Sequence, residues 1–272
     1  MIDLHLHTTA SDGTLAPAAL VARAAAAGIT ILSVTDHDTT AGLDEARASA
    51  AALGLTLVPG IEITAVENGR DVHVLGYFID PCAVALDGFL ARQRRNRIAR
   101  VQQIGERLRA IGCPVDLEPL LQAAACEAGR SIGRPQIADA LIRAGHARDR
   151  DDAFERLLGE AGLAYVPRSG ETPERVIGVI RQAGGIASLA HPALLGQDAL
   201  IPRLARAGLA AIEVRHRDHD EAAERHYREL AGRLDLAVSG GSDYHGDDFR
   251  RAALGAVTLP AADYERLRAA AR

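Results

Sequence analysis

The sequence predicts an α/β protein built on parallel strands, either a barrel or an open doubly wound sheet. Short apolar, strand-like runs alternate with alanine-rich helical stretches in the first half of the chain, which gives a β-α-β-α-β order over residues 2–58. Strand-like runs return after residue 184 and are again separated by helical stretches. Alternation of this kind implies crossover helices between neighbouring parallel strands.

Hydrophobic periodicity gives the expected position of each element. The predicted strands are 2–7, 31–34, 56–58, 72–78, 185–190, 211–214, 236–239 and 255–259. The predicted helices of the strand-bearing region are 17–27, 42–52, 174–183 and 221–234. These alternations account for about eight strands and leave the middle of the chain without any.

The middle of the chain has a different character, because residues 86–164 give one helical stretch after another. Ile98, Val101, Ile104 and Leu108 follow helical spacing within it. We therefore expect a core domain formed by residues 1–90 and 167–272, interrupted by an inserted helical cap subdomain at 91–166.

Length and charge limit the function. A chain of 272 residues can bury one large core, or one core with a small inserted subdomain. Its net charge of -5 argues against long double-stranded nucleic acid as a partner, since such binding needs many basic contacts to phosphates. The chain contains no lysine, which excludes Schiff-base chemistry, a P-loop lysine and a metal-bridging carboxylated lysine.

The cysteines and the apolar segments predict the cellular setting. The chain has three cysteines, Cys82, Cys113 and Cys126, which are far apart in sequence. A disulfide framework is therefore not expected, and the pattern favours a reducing compartment such as the cytoplasm. The opening residues lack the pattern of a signal peptide, and no uncharged stretch reaches membrane-spanning length. We expect a cytoplasmic protein without a membrane partner.

Histidine and acidic residues recur where the strand-like runs end. His5 and His7 share one face of the first run, because side chains two apart in a strand point the same way, and Asp12 follows in the next loop. The polar segment 35–39, with His37 at its centre, comes directly after the second run. Parallel α/β folds place their active sites at the carboxyl ends of strands, so these residues are expected on one rim.

The later runs carry similar residues. Glu62 interrupts an apolar run, and an ionised glutamate is rarely buried unless it is paired or binds metal. His73 lies within a strand-like run and His191 follows another. Asp243 and His245 lie two apart in a glycine-rich loop, where the backbone can approach a ligand closely.

Each of these residues taken singly has a structural alternative, such as a capping aspartate in a turn. Six of the ten histidines nevertheless fall in such positions, and mixed imidazole and carboxylate ligands suit manganese, iron or zinc acting on oxygen-rich substrates. The sequence therefore predicts a multinuclear metal site in a hydrolase. The other four histidines are interpreted as surface residues or as residues behind the ligands: His146, His216, His219 and His226.

The segments that carry the predicted ligands resemble the motifs of the PHP family, named for polymerase and histidinol phosphatase. They are His5-Leu6-His7-Thr8, Asp12-Gly13, Thr35-Asp36-His37-Asp38, Gly60-Ile61-Glu62, His73, Ala190-His191-Pro192 and Ser242-Asp243-Tyr244-His245. They occur in the family's order on both sides of the insert. Within the family, the chain is most similar to the branch of 3′,5′-nucleotide bisphosphate phosphatases and 5′-to-3′ exoribonucleases, which carry a helical insert between the fourth and fifth strands.

The resemblance implies a distorted (βα)7 barrel with an inserted helical cap and a metal site at the carboxyl ends of its strands. Two or three divalent metal ions are expected, with Mn2+ first and Zn2+ or Fe2+ as alternatives. The implied ligands are His5, His7, Glu62 and Asp243 for the first metal, the bridging Glu62 with His73 and His191 for the second, and Asp12, His37 and His245 for the third.

The insert supplies the implied substrate contacts. Gly133-Arg134-Pro135 resembles the family's GRPH signature, which implies that Arg134 binds a substrate phosphate, since guanidinium groups match phosphate oxygens in pairs. Gln136 stands where relatives often have histidine, so the role of this position is open. Arg97 belongs to a basic run at 92–100; a solvated helix face is the simpler explanation for the run, and Arg97 is the candidate for a further substrate contact.

The implied reaction is hydrolysis of the 3′-phosphate of nucleoside 3′,5′-bisphosphates, such as adenosine 3′,5′-bisphosphate, by metal-activated hydroxide. Glu62, His191 and Arg134 are the implied catalytic residues. Other phosphoesterase alternatives are 5′-to-3′ trimming of short 5′-phosphorylated RNA and hydrolysis of histidinol phosphate. A metal amidohydrolase and a silent scaffold are alternatives of other classes. The sequence leaves the general acid, the base preference and the oligomeric state open.

Overall fold

The barrel sheet is the framework of the molecule. A computed structural model describes residues 1–246 and 253–271, and in these ranges it contains a seven-stranded sheet whose strands follow the order of the chain. The strands are β1 (Ile2–Leu6), β2 (Ile31–Val34), β3 (Thr56–Glu67), β4 (Arg70–Tyr77), β5 (Ile186–Leu189), β6 (Ala211–Arg215) and β7 (Ala237–Gly240). The (βα)7 fold that the resemblance implied is confirmed.

The sheet curves into a nearly closed barrel. The segment that follows β7 returns to β1, where the His7 N–H donates a hydrogen bond to the carbonyl of Tyr244 at 2.9 Å. The N–H of Ser242 donates to the Asp3 carboxylate, also at 2.9 Å. Along β1, the apolar Ile2, Leu4 and Leu6 alternate with the buried polar residues Asp3 and His5. The three apolar side chains belong to the main hydrophobic core.

The fourth strand departs from the predicted parallel order. β4 pairs antiparallel with both β3 and β5, whereas the other neighbouring strands pair in parallel. Asn68 and Gly69 connect β3 to β4 and both have positive φ angles, 51° and 79°. An Asn-Gly pair favours this type of tight hairpin turn, so the signal for an antiparallel pair was present in the sequence.

Two further expectations are corrected. β3 continues well beyond the predicted 56–58, because the alternation of the following apolar run fits a strand that pairs along its length with β4. Residues 255–259 do not form a strand. One hydrogen bond, from the Leu259 N–H to the Ile2 carbonyl at 2.9 Å, attaches this segment to β1 without forming a ladder.

The four helices predicted for the strand-bearing region begin and end within one residue of their predicted positions. The described α-helices are α1 (Pro17–Ala26), α2 (Leu43–Ala52), α3 (Val84–Ala110), α4 (Glu118–Cys126), α5 (Arg134–Arg143), α6 (Arg150–Ala153), α7 (Pro173–Gln182), α8 (Pro192–Leu195), α9 (Ile201–Arg206), α10 (Glu221–Arg233) and α11 (Ala261–Ala270). Three of them in the strand-bearing region, α8, α9 and α11, were not predicted. A π-helical turn follows α6 at Phe154–Leu158, and a 3-10 turn precedes α9 at Asp198–Leu200. None of the described helices combines the length and apolarity needed to cross a bilayer.

Local sequence explains where several helices start. α7 begins with a proline in its first turn, and the Thr172 side chain accepts a hydrogen bond from the N–H of Arg175. Asp220 caps α10 in the same way through the N–H of Ala223. These caps satisfy backbone donors that the helix itself leaves unpaired.

The buried apolar residues form two clusters. The larger cluster lies between the barrel and its outer helices, and the smaller one lies within the helical insert, from Val101 to Val166. α3 runs through both, because Leu86, Phe89 and Leu90 pack in the larger cluster while Val101, Ile104 and Leu108 pack in the smaller. The division into 1–90 with 167–272 and 91–166 stays a prediction, and the two clusters are the observation that supports it.

Gly241 provides a test of how closely the returning segment approaches β1. A Cβ atom at this position would lie 2.3 Å from the His5 nitrogen and 2.6 Å from the His5 Cβ atom. We expect Gly241→Ala to lower the free energy of unfolding by about 1–3 kcal/mol, as overpacking of a rigid site does. Urea denaturation followed by circular dichroism measures the change.

Gly88→Ala is the matched control, because a Cβ atom there meets no atom within 4 Å. Gly88 lies in α3, so alanine is expected to raise the free energy of unfolding by up to about 1 kcal/mol. Equal stability of the two variants would contradict the close packing of Gly241 against β1.

Candidate metal centre

The predicted ligands come together at one end of the barrel, although they are spread over the whole chain. The structure groups all nine within reach of one another: His5, His7, Asp12, His37, Glu62, His73, His191, Asp243 and His245. The strands deliver them there because the carboxyl ends of parallel strands meet at one rim. Their role as metal ligands stays a prediction.

Glu62 lies at the centre of this group, with its side chain only 1% exposed. Its Oε2 atom lies 3.1–3.2 Å from a ring nitrogen of each of His5, His7 and His37. Its Oε1 atom lies 2.8 Å from His73 and 3.2 Å from His191. The two oxygens therefore face different sets of imidazoles, as a carboxylate that bridges two cations must.

Two further carboxylates complete the group. Asp243 Oδ1 lies 3.4 Å from His5 Nε2 and 3.1 Å from His7 Nε2. Asp12 lies on the opposite side, 3.3 Å from His245 and 3.7 Å from both His7 and His37. Both arrangements keep the donor atoms of each set within 4.8 Å of one another, which is the spacing that a shared cation needs.

Several donor atoms of the group lack hydrogen-bond partners among the side chains that the structure describes, as the ligands of a bound cation would. Both ring nitrogens of His7 and Nδ1 of His37 are buried and lack a hydrogen-bond partner in the described residues, although carboxylate oxygens lie within 4 Å. Buried polar atoms without partners are rare and costly. Imidazole and carboxylate donors aimed at common points are the set that manganese, iron and zinc accept.

The electrostatics of the group are strongly coupled. Burial lowers the pKa of His7, but Asp243 and Glu62 outweigh burial and raise it to about 10. Burial dominates at His37 and lowers its pKa to about 3. Burial alone would raise the pKa of Glu62, yet the surrounding histidines hold it well below its usual range. The carboxylates are therefore ionised and able to bind cations.

Backbone strain accompanies several of these residues. Asp38, His191 and Asp243 have positive φ angles of 52°, 28° and 49°. Non-glycine residues rarely adopt such angles, and they persist where surrounding contacts over-determine them. From these loop positions, the side chain of His191 contacts Glu62 and that of Asp243 contacts His5.

Glu213 is a functional residue that sequence reasoning missed. It is fully buried on β6, where Oε1 accepts a hydrogen bond from His5 Nδ1 at 2.8 Å and Oε2 accepts one from the His191 N–H at 2.7 Å. Because the ionised carboxylate can only accept, it requires a proton on His5 Nδ1, which leaves Nε2, 3.2 Å from Glu62, as the nitrogen that a cation could bind. The signal was available, since Glu213 interrupts an apolar run as Glu62 does.

Arg217 and His216 hold the other face of Asp243. Arg217 donates to Asp243 Oδ2 at 2.8 Å and to its carbonyl oxygen, and His216 Nε2 lies 3.4 Å from Oδ2. Oδ1 is thereby left to face His5 and His7. His216 is 1% exposed, so it is one of the residues behind the ligands. Nothing in its local sequence marked it as such.

The loop that carries Asp12 is attached to both the barrel and the insert. Asp36 accepts hydrogen bonds from the Thr8 N–H at 2.7 Å and from the Ser11 hydroxyl at 2.6 Å. Gln136 donates from Nε2 to the Ser11 carbonyl at 2.6 Å, and its Oε1 accepts from the N–H of Gly133. The position whose role the sequence left open therefore ties α5 to the ligand loop.

The predicted substrate arginines differ in their surroundings. Arg97 is buried and donates to Asp38 at 2.6 Å, to the Ile132 carbonyl and to Thr64, so each of its guanidinium nitrogens has an acceptor. Arg134 is 21% exposed and donates to Asp71 and to the Leu158 carbonyl. The substrate role of each stays a prediction, and the geometry favours Arg134.

Glu213 gives a test of the site that does not require catalysis. In Glu213→Gln one oxygen becomes an N–H group, so it can no longer accept from both His5 and His191. We expect the affinity for Mn2+ to fall about 10–100-fold, as loss of a residue that orients ligands does. Calorimetric titration with Mn2+ measures it. Glu229→Gln on the exposed face of α10 is the control, and equal affinities of the two variants would exclude this role for Glu213.

Comparison with known proteins identifies the family. A PHP domain model matches residues 3–155, more than half of the chain. The 5′-3′ exoribonuclease Rnm of Escherichia coli (strain K12) is 37% identical over 250 residues, which cover 89% of this chain and 84% of the relative. The 3′,5′-nucleoside bisphosphate phosphatase of Chromobacterium violaceum is 34% identical over 249 residues, which cover 90% of this chain and 87% of the relative.

The structural comparison agrees with the family model. A solved chain from Bifidobacterium adolescentis, proposed to be a metal-dependent phosphoesterase, superposes with a TM-score of 0.90 at 34% identity and covers 99% of this chain and 96% of its own. The similarity thus extends over the barrel and the insert together. The chain belongs to the PHP family of metal-dependent phosphoesterases.

Proposed function

We propose that the protein hydrolyses the 3′-phosphate of nucleoside 3′,5′-bisphosphates and leaves the 5′-monophosphate. The observation that carries this proposal is the position of Glu62, whose two oxygens face separate sets of imidazoles in one buried group. A carboxylate placed in this way suits a pair of cations, and paired cations suit the attack of water on phosphorus. The relative from Chromobacterium violaceum supports the choice of substrate.

The proposed metal ions are two or three divalent cations, with Mn2+ first. His5, His7, Glu62 and Asp243 would hold one, Glu62, His73 and His191 a second, and Asp12, His37 and His245 a third. Bound cations would supply a nucleophilic water at neutral pH and stabilise negative charge on the phosphoryl oxygens. Imidazole and carboxylate donors without any thiolate fit Mn2+.

The residues of the chain would prepare the site for this reaction. Glu213 holds the His5 ring through Nδ1, so that Nε2 faces the centre of the site and would be free to bind a cation. Arg217 keeps Asp243 turned so that one oxygen faces inward. Arg134 would donate hydrogen bonds to a substrate phosphate from the end of α5 nearest the barrel. Its largely buried guanidinium group would stabilise negative charge on the phosphate oxygens.

A second candidate function is 5′-to-3′ trimming of short 5′-phosphorylated RNA. The relative from Escherichia coli, at 37% identity, favours it. The same residues would serve both substrates, because the phosphate on a ribose 3′-oxygen is a monoester in the bisphosphate and a diester in RNA.

We place either reaction in the cytoplasm, on the ground that Cys82, Cys113 and Cys126 are all free.

A substrate comparison tests the proposed function. The Mn2+-loaded protein is offered adenosine 3′,5′-bisphosphate, a 5′-phosphorylated RNA tetramer and histidinol phosphate, and the products are separated by chromatography. We expect the bisphosphate to give AMP and phosphate, histidinol phosphate to remain intact, and EDTA to stop the reaction. Glu62→Ala should abolish turnover, because it removes the bridging carboxylate, whereas the exposed Glu229→Gln should retain it.

Metal content provides the opposing outcome. Two or three Mn2+ ions per chain agree with the proposal. About one ion per chain, together with no release of phosphate from the bisphosphate, would refute it and favour an amidohydrolase.

Arg134→Ala tests the substrate contact separately from the metal site. Loss of a charge-assisted hydrogen bond to phosphate is worth about 1.5–3 kcal/mol, so we expect KM for the bisphosphate to rise at least about 10-fold. Steady-state kinetics give KM and kcat, and bound Mn2+ is measured in parallel. An unchanged KM would remove Arg134 from substrate binding, and a loss of Mn2+ would show damage to the metal centre instead.

A further inference from the structure

The insert makes direct contact with the loop that carries Asp12. We call residues 8–14 the ligand loop, and residues 129–136, which lead into α5, the docking segment. The Ser131 N–H donates a hydrogen bond to the Ala10 carbonyl at 2.9 Å, and the Gln136 side chain donates to the Ser11 carbonyl at 2.6 Å. Ala10 and Ser11 directly precede Asp12 in the chain, so the docking segment holds the ligand loop next to this predicted ligand.

Gln136 holds both partners at once. Its Oε1 atom accepts from the Gly133 N–H at 2.8 Å, while its Nε2 atom reaches the ligand loop. Because the amide has an acceptor and a donor, one side chain closes the start of α5 and also fixes the Ser11 carbonyl. Ser131 is only 1% exposed, so the second contact between the two segments is shielded from water.

The docking segment is also joined to the loop of His37. Arg97 donates to the Asp38 carboxylate at 2.6 Å and to the Ile132 carbonyl at 3.3 Å. It thereby connects the residue after His37 to the docking segment. Two of the three predicted ligands of the third ion, Asp12 and His37, therefore lie in loops that are attached to this one segment.

The remaining predicted ligand is connected through the ligand loop itself. The Thr14 N–H donates to the His245 carbonyl at 2.8 Å. The Asp12 carboxylate lies 3.3 Å from the ring of His245 and 3.7 Å from that of His37. We call Asp12, His37 and His245 the third group. A shift of the ligand loop changes the distance from Asp12 to both of these imidazoles.

The third group depends on loops more than the other predicted ligands do. Its side chains are 8–16% exposed, whereas those of His5, His7 and Glu62 are at most 1% exposed. His5 and Glu62 lie in β1 and β3, but no member of the third group lies in a described strand. Ligands on strands are positioned by the sheet, and ligands on loops are positioned by the contacts of the loop.

We propose that Gln136 is a positioning residue for the third metal ion and couples this ion to the insert. The ion binds tightly only when the docking segment holds the ligand loop in place, since that contact sets the position of Asp12. Coupling between two binding events is reciprocal, so the bound ion also stabilises the docked segment. This inference rests on the metal ligands given in the proposed function.

The coupling gives the insert a part in assembling the metal centre. Arg134, the proposed substrate contact, lies in the docking segment between Gly133 and Gln136. A phosphate held by Arg134 favours the docked segment, and the docked segment favours the third ion. The pair of ions at Glu62 binds independently of this contact, so the centre holds two ions without the docked segment and three with it.

Gln136→Glu tests the coupling by changing one group. The carboxylate still accepts from the Gly133 N–H but cannot donate to the Ser11 carbonyl. Calorimetric titration with Mn2+ should show two ions bound as in the unaltered protein and the third bound about 10-fold more weakly, as loss of a contact behind a ligand does. Gln122→Glu is the control with the same change of charge, because this exposed amide donates to Glu118 in its own helix.

Gln136→His separates positioning from stability. A ring N–H can donate to the Ser11 carbonyl, so this variant should bind the third ion more tightly than Gln136→Glu does. Thermal unfolding of the metal-free variants is measured in parallel. A merely structural role of Gln136 predicts that all the ions are lost together, in proportion to the loss of stability.

Hydrogen exchange gives the reciprocal readout in the unaltered protein. The Ser131 amide, which donates to Ala10, should exchange more slowly once the third Mn2+ is bound. Asp12→Asn removes the charged ligand of the third group and should abolish this change. The comparison does not involve Gln136, so it decides the matter even where circular dichroism shows that Gln136→Glu is misfolded.

Three results would overturn the inference: full affinity for the third ion in Gln136→Glu, equal weakening of every ion, or exchange at Ser131 that does not respond to Mn2+. If the unaltered protein binds only two ions and still hydrolyses the bisphosphate, the coupling is wrong and the proposed function stands. If the third ion depends on Gln136 while the bisphosphate is not hydrolysed, the coupling stands and the proposed function is wrong.

Discussion

The buried carboxylate of Glu62 is the constraint on which the rest of the site depends. An ionised group with 1% exposure is strongly destabilising unless positive charge surrounds it. Five imidazoles within about 3 Å of its oxygens would supply that charge, either as protonated rings or as ligands of a shared cation, and they come from β1, β4 and the loops after β2 and β5. These segments come together only because the sheet curves into a barrel, so the geometry of the site depends on that curvature.

A set of residues behind the predicted ligands sets the direction of each donor atom. Glu213 fixes the tautomer of His5 and the backbone of His191 with its two oxygens. Arg217 does the same for Asp243. These contacts also explain why His191 and Asp243 tolerate positive φ angles, since each is held by a charge-assisted hydrogen bond. The strain is local and is offset by fixed ionic contacts.

The insert and the barrel share the mouth of the site. Gln136 binds the carbonyl of Ser11 in the ligand loop, and Arg97 of α3 pairs with Asp38 beside His37. Asp71 collects arginines from three segments of the insert and its exit. These contacts join the helical insert to the barrel. The insert therefore helps to position residues of the site in addition to covering it.

Local sequence determined much of this protein. Periodicity gave four helices of the strand-bearing region to within one residue. The spacing of His5 and His7 and of Asp243 and His245 marked the predicted ligands, because such signals lie within a few residues of each other. Even Glu62 was visible as an acid in an apolar run. The Asn68-Gly69 turn and Glu213 were equally local signals. The turn was not predicted because the alternation of strands and helices before it favours parallel strands, and Glu213 was not predicted although it also interrupts an apolar run.

Only the tertiary structure decided which residues support the predicted ligands and which arginines keep unused hydrogen-bond donors. Arg97 and Arg168 look alike in sequence, yet one is saturated by Asp38, Thr64 and a carbonyl while the other keeps donors beside Asp71. His216 likewise differs from the exposed His226 only by its position behind Asp243. Hydrogen-bond saturation and burial depend on contacts between segments far apart in the chain, and no local pattern records them.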